Sequence, residues 1–235
     1  MLREKSEPRN RHRLYRSAAA IAALMVLAGP SLAAKPPETW DGLVQVKSKR
    51  LALVYLQPGA DFRGYTKVMI EPTELAFRKD WRKDFNRDRR SLSSQVSERD
   101  VERAIAAGIA AANDIFARAW TSGGYVIVNE PGLDVLRVRT GILNISVNAP
   151  DQQQPGRSMS FAPEAGEATL FVEARDSMTG SLLGRAVDRE LAGDNGAALR
   201  TQASNRSDFR YLAEDWAEKT VRGMNELKAL SPIAE

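Results

Sequence analysis

Cysteine is absent from the 235 residues, and His12 is the only histidine. The first absence excludes disulfides, thiol nucleophiles and lipid attachment through an N-terminal cysteine. Long apolar runs are missing too. The run at residues 18–29 has 12 residues, against about 20 for a spanning helix. No phosphate-cradling glycine loop or dinucleotide fingerprint appears, so no cofactor is expected.

What is present at the start has three parts. Arg3, Lys5, Arg9, Arg11, Arg13 and Arg16 form a basic head, the apolar run follows, and Pro30 with Ser31-Leu32-Ala33 supplies a small-residue exit. That order predicts a cleavable secretory signal over residues 1–33, with a mature chain starting at Ala34 or Lys35. No paired arginines precede the run, which favours the general secretory route over the twin-arginine one.

Cleavage changes what the composition implies. Residues 1–33 hold six of the 34 Lys+Arg and two of the 30 Asp+Glu, leaving 28 of each. The mature chain is formally neutral, so the pI near 9.4 belongs to the signal and points to no nucleic-acid partner. His12 leaves with it. A histidine base and His- or Cys-ligated metals are then excluded, and no metal site is expected.

Residues 34–48 read as an extended lead-in, since two prolines disfavour helix. Residues 49–230 are enough for one domain with its own core. Strand patterns occur at 51–56 and 65–71, with Pro58-Gly59 turning between them. A helix is expected after Ser97, whose spacing to Asp100 suits a capping box, and it ends near Gly123. Tyr125 to Val128 reads as a short strand and 135–148 as a long one. In the long strand the apolar phase changes across Thr140-Gly141. A bulge there would put Leu136, Val138, Leu143, Ile145 and Val147 on one buried side.

Residues 149–166 read as a long loop, followed by a clear hairpin turning through 176–180 with Gly180 left-handed. A second loop, containing the turn at 193–196, leads to a last helix. Its face carries Phe209, Leu212, Ala213, Trp216, Thr220, Met224 and Leu227. Strands joined mostly by hairpins, with two main helices on one face of a mainly antiparallel sheet, make the expected class α+β.

Two stretches could carry function. Residues 77–90, "FRKDWRKDFNRDRR", hold seven bases and three acids, with Phe77, Trp81 and Phe85 at fourfold spacing. If helical, Trp81 and Phe85 pin the segment while Arg82, Lys83, Arg87 and Arg90 form a partner-binding surface. The competing account is a plain solvated connector. The hairpin carries Glu173, Asp176, Arg185, Asp188, Arg189 and Glu190. Paired carboxylates run glycoside hydrolysis without histidine, although alternating charges on a hairpin are ordinarily cross-strand pairs.

"LALVYLQPGADFRGYTKVMIEPTELAFRKDW" together with "EARDSMTGSLLGRAVDR" resembles the bacterial envelope family catalogued as domain of unknown function 3313. The resemblance runs from about Trp40 to Leu227. It rests most on Tyr65–Pro72 with Phe77 and Trp81, and on Asp176, Thr179-Gly180 and Asp188. It implies export and an α+β domain, and supplies no activity or catalytic residue. Many members resemble exported lipoproteins, whereas no cysteine follows the signal here. The expected function is an exported, soluble, non-enzymatic envelope protein of the periplasm, binding a protein, glycan or anionic lipid partner. The alternative is a carboxylate-dependent hydrolase of cell-wall glycan.

Overall fold

Period-two alternation places one side of each strand on a core, and the computed structural model realises it in one broad sheet. It describes residues 35–87, 89, 95–148, 160–162, 164–193, 198–200 and 202–234. Arg90, most of the expected turn at 193–196 and residues 1–34, which include the expected signal at 1–33, lie outside these. In chain order the strands are β1 (Thr39–Trp40), β2 (Leu43–Val46), β3 (Leu53–Leu56), β4 (Lys67–Ile70) and β5 (Glu74–Phe77). Helices α1 (Trp81–Asn86) and α2 (Glu98–Ser122) follow. Then come β6 (Val126–Ile127), β7 (Val135–Val147), β8 (Ser160–Ala162), β9 (Gly166–Asp176), β10 (Leu182–Ala192), β11 (Ala198–Arg200) and α3 (Gln202–Leu230).

The main sheet runs β1-β2-β3-β10-β9-β7-β4-β6, with β5 also on β7. Pairings from β1 across to β7 are antiparallel, while β4, β5 and β6 join in parallel. The class is therefore α+β with a mostly antiparallel sheet. Both long helices lie on one face. Ile115, Phe116 and Trp120 of α2 and Leu212, Trp216 and Val221 of α3 share a core with Leu136, Val138, Leu170 and Val172. Each large side chain buried there contributes roughly 1.5–3 kcal/mol.

Local signals explain the ends of α2. Ser97 Oγ accepts from Asp100 N at 3.2 Å, and Ser97 N donates to Asp100 Oδ2 at 2.9 Å. At the other end Gly124, not Gly123, takes the left-handed backbone, at φ 92°. Gly123 caps the helix, donating its N–H to Ala119 O at 2.9 Å, and has a second task. A Cβ there would stand 2.1 Å from Val221 Cγ1, so glycine lets α2 approach α3.

Four expectations are corrected. The pairing of β7 with β9 is regular through Gly141, and the bulge falls between Leu143 and Ser146. Asn144, at φ 52°, takes the irregular residue. Leu136, Val138, Ile145 and Val147 do reach the helix-side core. Leu143 is buried on the opposite side with Gly141, because the phase changes only after it. Within the expected lead-in, β1 and β2 extend the sheet. The expected loops contain β8 and β11, which pair with each other. Finally, α3 begins at Gln202, inside the second expected loop.

The signature residues of the two resembling stretches meet in space. Tyr65 OH donates to Asp176 Oδ2 at 2.8 Å. Asp176 Oδ1 accepts from Met178 N at 3.0 Å and Thr179 N at 2.7 Å, closing the turn at Gly180, whose φ is 72°. Burial first, and then the bond to Asp176, pushes the Tyr65 hydroxyl up. These residues tie β4 to the hairpin.

Candidate functional site

Within residues 77–90 the helix is confined to Trp81–Asn86, Phe77 ends β5, and the aromatics do anchor the segment. Phe77 stacks on Trp81 with centroids 4.6 Å apart, and Trp81 meets Phe85 at 5.6 Å. Trp81 is buried and donates Nε1–H to Val147 O at 3.2 Å, next to the bulge. Asn86, which carried no sequence signal, clasps the chain before α2. Its Nδ2 donates to Val96 O and its Oδ1 accepts from Val96 N, both at 2.9 Å. A six-residue helix gains little from its own hydrogen bonds. These side-chain ties hold it.

The bases divide by environment. Arg82 and Lys83 are exposed. Arg87 is exposed as well but pairs with Asp84 at 2.6 Å, and Asp84 also meets Arg78 at 3.5 Å. Arg89 instead lies over the Phe85 ring, 3.5 Å from its centroid. Of the four expected partner-binding bases, Arg82 and Lys83 lie on α1, Arg87 caps its C-terminal end, and Arg90 lies outside the described residues. A cleft of about 660 Å³ opens beside them, lined by Arg78, Arg82 and Lys83 together with Glu98 and Glu102 of α2.

Behind Phe77 and Trp81 lies a larger cavity of about 840 Å³. Its floor is β7, through Ile142, Ile145 and Val147, and its sides are the N-terminal halves of α2 and α3. Its walls are mainly apolar because α2 presents Ala104, Ala107, Gly108 and Ala111 on that side. At Gly108 a Cβ would come within 2.6 Å of Leu75 Cδ1, which lets α2 sit close over β5. Arg103, Arg206 and Arg210 are polar members of the lining. Sequence reasoning missed this space, since small residues on a helix signal only close packing.

The hairpin charges are spent in the fold. Glu173 is buried and meets Arg175 and Arg185, each at 2.7 Å. Burial pushes its carboxyl up, but the two guanidiniums prevail and hold it below the usual glutamate range. Arg185 is further held by Asp41 at 2.5 Å and lies 4.6 Å from the Trp40 ring centroid. Asp188 is buried and accepts from Trp216 Nε1 at 3.0 Å and Ala52 N at 3.1 Å. Glu190 meets Lys219 at 2.5 Å, and burial moves its carboxyl up despite that ammonium. Arg189 pairs with Glu167 at 2.6 Å. None of these carboxylates lines the cleft or the cavity. A retaining or inverting pair needs room for a sugar between its oxygens. The hairpin offers bonds there instead.

The profile of the family described as "Protein of unknown function (DUF3313)" matches residues 33–220. The chain belongs to that family. No curated protein matches it. Among solved structures, a DUF330-family protein from Xanthomonas campestris is similar at 9% identity. It covers 74% of this chain and 91% of its own, with a TM-score of 0.39. A PelC dodecamer from Paraburkholderia phytofirmans gives 12% identity, 73% and 95% coverage and a TM-score of 0.34. A minor lipoprotein from Acinetobacter baumannii gives 12%, 69% and 94%, with a TM-score of 0.32. Similarities of this size say nothing of this chain's ligand or assembly. Among the described residues no helix is long and apolar enough to cross a membrane.

Proposed function

We propose that this is an exported, non-enzymatic binding protein of the cell envelope, and that the exposed basic side of α1 meets an anionic surface there. Export rests on the basic head, short apolar run and small-residue exit of residues 1–33. The observation that carries the binding reading is the division of labour on α1. Trp81 is buried and bonded, while Arg82, Lys83 and Arg87 project into solvent. Each basic residue near an anionic membrane is worth about 1 kcal/mol. Three give roughly 3 kcal/mol, about a hundredfold in partition, before the share that Asp84 takes from Arg87. That is docking, not anchoring.

The test uses protein from an osmotic-shock fraction, with its N-terminus read as Ala34 or Lys35. The triple variant R82E/K83E/R87E should melt within a few degrees of wild type, because exposed charges change stability by no more than about 0.5 kcal/mol. The Arg87–Asp84 pair it loses is exposed and worth under about 1 kcal/mol. The variant should sediment less with anionic vesicles at low salt. Wild-type binding should fall as salt rises, since the Debye length is about 8 Å at physiological ionic strength. Equal sedimentation of both proteins at every salt concentration would remove α1 as the docking surface. An N-terminus at Met1 would remove export.

A further inference from the structure

The cavity behind Trp81 has three properties that together narrow its occupant. The first is shape. Its α2 wall runs from Asp100 to Ile115, about 23 Å at 1.5 Å per residue. An acyl chain spans about half of a bilayer's ~30 Å hydrocarbon thickness, and it is narrow. The space is long enough for one extended acyl chain.

The second property is surface chemistry. Phe77, Trp81, Ile145, Phe209 and Leu212 line the space, the carboxylate in its lining, Asp100, is paired with Arg103, and the exposed Ala104 and Ala107 leave one side open to entry. Pockets of about 300–1,000 Å³ with mainly apolar walls and few polar groups are the usual form of a small-molecule site.

The third is charge. Arg103 pairs with Asp100. Arg206 and Arg210 are exposed members of the lining, and the ion pairs among the described residues include neither. They stand one turn apart on α3, where like charges repel. An anion placed between them removes that repulsion and accepts from both forks.

We infer that the cavity between the N-terminal halves of α2 and α3 holds one acyl chain whose anionic head meets Arg206 and Arg210. This site is separate from the basic surface of α1. Each can fail while the other stands, because the two involve different residues and different assays.

The probe is cis-parinaric acid, a fluorescent polyene fatty acid, with its uncharged methyl ester beside it. Trp81 and Trp216 both line the space, so energy transfer from tryptophan to the polyene reports occupancy. Delipidated wild type should bind the acid saturably at one site. Ala107→Trp fills the channel from an exposed position and should abolish binding of acid and ester alike, with an unchanged circular dichroism spectrum. Ala104→Phe, one turn earlier, should do the same and serves if the first variant misfolds. R206E/R210E should weaken the acid about tenfold, the size expected of two rim-exposed charge contacts, and leave the ester unaffected. Native mass spectrometry of protein purified from the envelope should show a lipid-sized adduct. No saturable binding by wild type would overturn the inference, as would undiminished binding in both blocking variants. Equal weakening of acid and ester by R206E/R210E, or a bound peptide in place of lipid, would overturn it too.

Discussion

Trp216→Phe is expected to cost about 2 kcal/mol more stability than Trp120→Phe. Both indoles are almost wholly buried in the same core, so the loss of ring volume is similar at the two sites. Their polar atoms differ. Trp216 Nε1 donates to Asp188 Oδ2 at 3.0 Å, whereas Trp120 Nε1 finds no acceptor among the described residues. Phenylalanine at 216 takes the indole donor from a buried carboxylate that otherwise meets Ala52 N and the Glu190 carboxyl, and a stranded buried acceptor costs about 1–3 kcal/mol, more when charged. Phenylalanine at 120 removes a donor that has no partner, which offsets part of the packing loss. Urea denaturation of the two variants gives the comparison. Equal losses would show that the Asp188 bond contributes nothing net.

Glu173→Ala is expected to destabilise by about 3 kcal/mol at neutral pH, and the gap to wild type should shrink in acid. Removing one member of a buried ion pair costs roughly 3–5 kcal/mol because the other charge remains buried. The lower end applies here, since Arg185 keeps Asp41 and the face of Trp40. The sign of the pH effect follows from the direction of the shift. Glu173 titrates below the ordinary glutamate value of 4.5. Its contribution is therefore fully present above that value and is lost as pH falls through the lower, folded one. Thermal melts of wild type and variant between about pH 7 and pH 3 should converge at the acid end. A gap that stays constant or widens on acidification would contradict the assigned role of the two guanidiniums.

Much of this architecture is legible in the sequence because the signals are local. Ser97 with Asp100, the alternating runs around Gly180, and the face from Phe209 to Leu227 each lie within a few turns or one hairpin. What escapes depends on partners far along the chain. β5, four residues long, begins two residues after Pro72 and is a strand because Gly141 to Ile145 of β7 pairs with it. β1 and β2 are short, and they are fixed by long-range pairing with β3 and by Trp40 packing on Tyr55, Phe171 and Arg185. The bulge is half legible. The change of phase shows in the spacing, but Asn144, not Gly141, carries the positive φ, since asparagine also tolerates that region. The same division holds for function. The basic run at 77–90 stands out in the sequence, and so does its aromatic anchor. The cavity does not, because Ala104, Ala107 and Gly108 become walls only once α3 stands opposite.

A protein that meets an anionic envelope surface through the basic side of α1 shields that side when bound, and lysine footprinting reads the shielding directly. Lys79 and Lys83 flank or belong to α1, while Lys47 and Lys49 are equally exposed after β2. Acetylation rates at all four, measured by mass spectrometry with and without anionic vesicles at low salt, should separate them. Slowing at Lys79 and Lys83, with Lys47 and Lys49 unchanged, is the result predicted. Uniform slowing, or protection confined to Lys47 and Lys49, would contradict it.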